Sequence, residues 1–127
     1  MSRPSKRPWR QALGGRAREQ GRGAEWLAAL WLMLKGYQVL GFRLRSRAGE
    51  IDILARRGGV LAVVEVKRRR TLEAALTAIL PDQAQRLATA GEAVRRHKPG
   101  LQKLRLRIDT VALCPGRFPV HVRGPEF

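Results

Sequence analysis

The chain has one cysteine, Cys114, among 127 residues. An intramolecular disulfide is therefore excluded, and the fold must hold together on its core. The lone thiol fits a reducing compartment, most simply a bacterial-type cytoplasm. Histidine is nearly as scarce. His97, His121 and Cys114 are scattered, at no spacing that suits zinc. No secretory signal is legible. The first apolar run, Trp26 to Leu34, is too short to cross a membrane, which takes about 20 residues. The most telling shortage is of acids. Ten Asp and Glu stand against 26 Lys and Arg, giving a net charge of +16. Such a field attracts polyanions, and nucleic acid is the partner it suits first. A membrane surface fits less well, because no basic helix with one clean apolar face stands out. An Arg-rich coding bias that serves solubility would leave the same composition.

Length and an apolar content of 44% predict one domain with a real core. Residues 1–18 mix Pro4, Pro8, Gly14 and Gly15 with Arg and Lys. They read as a flexible basic arm, and they lack the regular apolar face of an organellar transit peptide. The folded domain is expected over 19–127. "GAEWLAALWLMLKGY" (Gly23–Tyr37) predicts a helix stopped by Gly36. It is apolar nearly all round, so it is either deeply buried or turns one face to a partner subunit, and a homodimer is compatible with it. Strands are expected over Tyr37–Arg45, Glu50–Ala55, Val60–Lys67 and Leu104–Leu113, with a short edge strand at Phe118–Val122. Val60–Lys67 reads as central and buried on both faces. Helices are expected near Leu72–Ile79 and Asp82–His97, with Leu87, Ala90 or Gly91, and Val94 facing inward. The class is α/β: a mixed sheet of about five strands with helices packed on it.

Within this basic chain, "GEIDILARRGGVLAVVEVKRRR" (Gly49–Arg70) carries three of the ten acids in two strands that should be interior. Alternation puts Glu50 and Asp52 on one face of their strand. It puts Leu61, Val63, Glu65 and Lys67 on one face of the next. Pairing about the Gly58–Gly59 turn brings the Asp52 end beside the Glu65 end, and Glu25 on the first helix could reach the same place. Clustered carboxylates cost several kcal/mol to desolvate unless something positive compensates. Lys67 compensates in part. A hard divalent cation compensates better, and Mg²⁺ held by one or two carboxylates, waters and a phosphate is an arrangement for phosphodiester hydrolysis. The plainer alternative is a Glu65–Lys67 ion pair beside an Asp52–Arg45 pair.

These blocks resemble the PD-(D/E)xK nucleases of restriction-endonuclease-like fold, and more specifically the bacterial YraN family. The resemblance rests on "GAEWLAALWLMLKGYQVL", "GEIDILARRGGVLAVVEVKRR" and "RIDTVAL", and covers roughly residues 21–113. It implies a nuclease-type core, laid out like archaeal Holliday-junction resolvases. It assigns the metal site to Glu25, Asp52 and Glu65, with Mg²⁺ or Mn²⁺, and Lys67 to positioning of the nucleophile. It does not imply a known substrate; the charge makes nucleic acid the expected partner, DNA ahead of RNA. Arg45 and the run Arg68, Arg69 and Arg70 are the candidate phosphate contacts; a solvated charge run is the alternative for the latter. Relatives often carry Lys or Gln at the start of the later helix; in "PDQAQRL", Gln83 or Gln85 must serve. Many carry Asn where Arg43 stands, so an acceptor is replaced by a charge.

Other residues have bland readings. Asp109 follows Arg107 on one strand face, which suggests a local ion pair. His121 reads as a surface-strand residue. Trp26 and Trp31 read as core or dimer contacts, and Trp9 as an exposed aromatic that could stack on a base.

Overall fold

The computed structural model describes residues 16–79 and 81–127. Most of the arm expected over 1–18, Trp9 included, lies outside these residues. Helix α1 (Arg16–Leu34) begins ahead of the expected Gly23. It closes in a glycine cap: Gly36 adopts φ +93°, its N–H bonds Met33 O, and the Tyr37 N–H bonds Leu32 O. Three strands follow, β1 (Gln38–Ser46), β2 (Gly49–Arg57) and β3 (Val60–Arg68). Next come the short α2 (Leu72–Thr77), capped by Thr71, and α3 (Pro81–His97). Pro81 opens α3, where its missing N–H costs nothing. Arg95, Arg96 and His97 close it, favourably for the helix dipole. A 3-10 turn (Pro99–Leu101) leads to β4 (Arg105–Leu113) and the edge strand β5 (Val120–Val122).

The sheet order is β1-β2-β3-β4-β5. β3 and β4 are parallel, joined by the crossover that carries α2 and α3, and the other pairs are antiparallel. The architecture is thus α/β, a five-stranded mixed sheet flanked by helices, as the sequence leads one to expect. Alternation on β3 sorts the core into two layers. Ala62 and Val64 meet Ala28, Ala29 and Leu32 of α1. Leu61 and Val63 meet Leu87, Ala88 and Ala90 of α3. Gly91 belongs to that inner stripe for want of space: a Cβ there would lie 2.6 Å from Val63 Cγ2.

Helix α1 is not buried all round. Its small residues and Leu32 face the sheet, while Leu27, Leu30 and Leu34 are exposed, Leu34 by 73%. Trp26 packs on Phe42 at 5.3 Å between ring centroids, and Trp31 stacks on Phe118 at 5.7 Å. Among the described residues, no helix is long and apolar enough to cross a membrane.

Candidate functional site

The site forms where the sheet opens. The β2–β3 ladder runs inward from Arg57↔Val60 and ends at Ile53↔Val64. The β3–β4 ladder continues to Arg68↔Leu113. β2 therefore parts from β3 at this level, while it stays paired with β1 as far as Ser46↔Gly49. Just past the last rung, the Asp52 carboxylate accepts the Val66 N–H at 2.9 Å, replacing the backbone acceptor that β2 has withdrawn. β1 bends at the same level: Arg43 has φ +49°, between the pairs Phe42↔Ile53 and Leu44↔Ile51. Ile51 and Ile53, two residues apart, consequently pack into opposite cores. Simple alternation, which puts Glu50 and Asp52 on one face, breaks at this bend.

On β3 alternation holds, and Glu65 and Lys67 meet on the α3 side. Lys67 Nζ is 3.0 Å from Glu65 Oε2. Gln83, in the first turn of α3, closes a triangle: its Nε2 donates to Glu65 Oε2 at 3.0 Å and its Oε1 accepts from Lys67 Nζ at 3.2 Å. Of the two glutamines, the geometry selects Gln83. Gln85 is exposed, toward Thr89 and Phe127.

A second group of charges lies behind Asp52. Glu25 on α1 is buried. Arg43 Nη1 stands 3.8 Å from Glu25 Oε2 and 3.9 Å from Glu50 Oε1. Arg45, exposed, pairs with the other Glu50 oxygen at 3.7 Å. The anticipated Asp52–Arg45 alternative is thus replaced by Glu50–Arg45. Burial raises the Asp52 pKa from 3.8 to about 6; the Val66 hydrogen bond opposes this, the negative charges of Glu65 and Glu50 add to it, and Arg43 opposes it.

Asp52 and Glu65 offer hard oxygen donors on adjoining strands. Two carboxylates suit a Mg²⁺-sized ion whose shell is completed by water or phosphate oxygens. Among the described residues, no three His, Cys, Asp or Glu side chains lie close enough to hold a metal by themselves. The residues fit an ion shared with solvent or substrate, not a closed protein cage. Beyond Lys67 the chain enters an open cleft of about 710 Å³ at the carboxyl ends of β3 and β4. Arg68, Arg69 and Arg70 line one side of it, with Gly23, Ala24 and Leu27 of α1 and Leu113–Pro115 making up the rest.

Sequence reasoning missed a second polar cluster on the far side of β4. Asp109 is fully buried and accepts both Arg107 Nε and Nη2 at 2.7 Å. The expected Arg107–Asp109 pair is present, but it is the centre of a network. Arg107 Nη2 also donates to the Tyr37 hydroxyl at 2.5 Å, and the Gly124 N–H reaches Asp109 at 3.3 Å. His121 is not a surface residue. Its side chain is 1% exposed, with Nε2 2.7 Å from Asp109 Oδ2 and Nδ1 2.6 Å from Lys35 Nζ. Desolvation pushes the Asp109 pKa up, but the hydrogen bonds from His121 and Arg107 outweigh it and leave the carboxyl below its ordinary value. An Arg-x-Asp in a buried strand was the only signal available.

Compared with known proteins, residues 24–113 match the family described as "Uncharacterised protein family UPF0102". A UPF0102 protein of Caulobacter sp. (strain K31) is 54% identical over 120 residues, 94% of this chain and 86% of that protein. One of Caulobacter vibrioides is 55% identical over 113 residues, covering 89% and 90%. One of Sinorhizobium medicae is 43% identical over 107 residues, covering 84% and 88%.

Proposed function

The chain belongs to the UPF0102 family, and we propose that it is an endonuclease that hydrolyses phosphodiester bonds of DNA, branched or otherwise structured DNA included, with Mg²⁺ or Mn²⁺ bound. In this reading the sheet is a restriction-endonuclease-like core. The observation that carries the proposal is the opening of the sheet at Asp52. It sets a carboxylate of raised pKa beside the Glu65–Lys67–Gln83 triangle in a chain of net charge +16. Asp52 and Glu65 would hold the ion. When bound, it supplies charge neutralisation for the phosphate and acidity for water. Gln83 fixes the Glu65 carboxylate and the Lys67 ammonium relative to each other. Lys67 places one positive charge, with three N–H donors, beside the position that a water or a phosphate oxygen would take. Glu25, buried directly after the cleft-lining Gly23 and Ala24, assists through water. The exposed Arg68–Arg70 run guides the polyanion along the cleft lip.

Purified chain is incubated with linear, flapped and four-way DNA, with and without Mg²⁺ or Mn²⁺, beside Lys67→Ala. Metal-dependent cutting is expected, with a loss of about 10²–10³-fold in the variant. Cutting that survives metal chelation, or is unaffected in Lys67→Ala, would overturn the assignment.

A second reading, a nucleic-acid-binding module that keeps the fold without catalysis, is favoured by one observation: the lack of three converging ligands among the described residues. It predicts binding to every substrate and cutting of none. Under both readings, Arg69→Ala with Arg70→Ala should flatten the slope of log K against log salt by about 0.9 for each phosphate contact removed. An unchanged slope would remove these arginines from the interface.

A further inference from the structure

Arg43 has three features that an ordinary surface ion pair does not require. Its backbone lies at φ +49°, in the left-handed region that side-chain-bearing residues seldom adopt. Its Nη1 is buried and makes no hydrogen bond. That same nitrogen stands almost equally far from two carboxylates on different elements, 3.8 Å from Glu25 on α1 and 3.9 Å from Glu50 on β2. A hydrogen-bonded Arg–carboxylate pair would close to about 2.7–2.9 Å. The guanidinium is instead suspended between its acids, in the position of a coordinated cation.

We propose that Arg43 is a built-in cation that fills the corner between Glu25 and Glu50, so that the site takes one divalent ion, at Asp52 and Glu65, rather than two. The proposal rests on the cation-dependent reading of the site given above. Glu25, Glu50, Asp52 and Glu65 bring four negative charges to this end of the sheet. Arg43 and Arg45 stand against the Glu25–Glu50 corner and Lys67 against Glu65, so the charge left for one divalent ion to balance lies at Asp52 and Glu65. Arg43 cannot lose its charge in a protein, so the corner stays filled at every working pH. Being fixed by the bend of β1, it also repels a second dication that approaches Glu25. In this arrangement Arg43 is a positioning residue: it sets how many ions bind and where.

The test is Mn²⁺ uptake by the full chain without DNA, followed by electron paramagnetic resonance. Wild type is compared with Arg43→Asn, which suits the left-handed backbone without the charge, and with Arg43→Lys, which keeps the charge. One Mn²⁺ per chain is expected for wild type and Arg43→Lys. Arg43→Asn should take up two, the first at least about tenfold more tightly than wild type binds its one. Should Arg43→Asn not fold, Arg43→Gly, at home in the same backbone region, carries the same expectation. One ion of equal affinity in all variants overturns the proposal and leaves the cation-dependent reading standing, as do two ions in wild type. No Mn²⁺ bound by any of them overturns both.

Discussion

Asp52→Asn should abolish cleavage and, in the absence of divalent ions, make the protein more stable at pH 8. Folding raises the Asp52 pKa from 3.8 to about 6, chiefly by burial. The folded chain therefore binds this proton more tightly than the unfolded chain, and ionising Asp52 costs stability. Below pH 4 the carboxyl is protonated in both states and the penalty is absent. It grows as pH rises through 4–6 and is complete above about 6, where a shift of this size corresponds to about 3 kcal/mol. Asn is neutral throughout and still offers an oxygen to the Val66 N–H. The variant should gain up to about 3 kcal/mol at pH 8 and almost nothing at pH 4. Urea unfolding at the two pH values measures this. A variant less stable than wild type at pH 8 would show that the charge is already compensated within the protein, and that Asp52 is a structural acid. Adding Mn²⁺ should reverse the order by stabilising wild type alone.

The second large effect lies at Asp109, beside Val64 in the β3–β4 ladder and on the α1 face of the sheet. Asp109→Asn should cost roughly 3–5 kcal/mol, because the guanidinium of Arg107 stays buried without its counter-charge. A fall in Tm of roughly 10–20 °C is expected for a domain of this size. The dependence on pH runs opposite to that of Asp52. The Asp109 pKa is lowered by folding, so its contribution is present above the ordinary aspartate range and is lost as pH falls through the folded value. Cleavage per folded molecule should be unchanged, which separates this scaffold residue from Asp52. A thermal melt within a degree or two of wild type would refute the idea that the network holds β4, β5 and the end of α1 together.

Much of the site was legible because local chemistry and global fold agree there. Gly58–Gly59 fixes the β2–β3 hairpin, and the alternation through Leu61, Val63, Glu65 and Lys67 survives into the structure unaltered. What could not be read is where the sheet stops. Nothing in "GEIDILA" says that the ladder ends at Ile53, so the bond from Val66 to the Asp52 side chain, and the split of Ile51 and Ile53 between two cores, are consequences of tertiary twist. The left-handed backbone of Arg43 is likewise imposed by neighbouring strands against local preference. His121 misled for a related reason. A short strand after Pro119 looks like an exposed edge, but Lys35 and Asp109 come from 86 and 12 residues away to enclose its ring.

The strand order has a consequence for how the chain comes to be folded. The five strands lie in the sheet in the order in which they are synthesised. The β1–β2 and β2–β3 hairpins turn on two residues each and can form within about 1–10 μs. β3 and β4 are parallel, and they meet only after the crossover between Arg68 and Arg105 has closed. Until then β3, the most apolar strand of the chain, has an open edge, a template for pairing with the same strand of another nascent chain. The basic residues flanking it, Arg56 and Arg57 before and Arg68 to Arg70 after, give such encounters a like-charge barrier. The arginines beside the cleft thus set a like-charge barrier in the nascent chain before the cleft itself has formed.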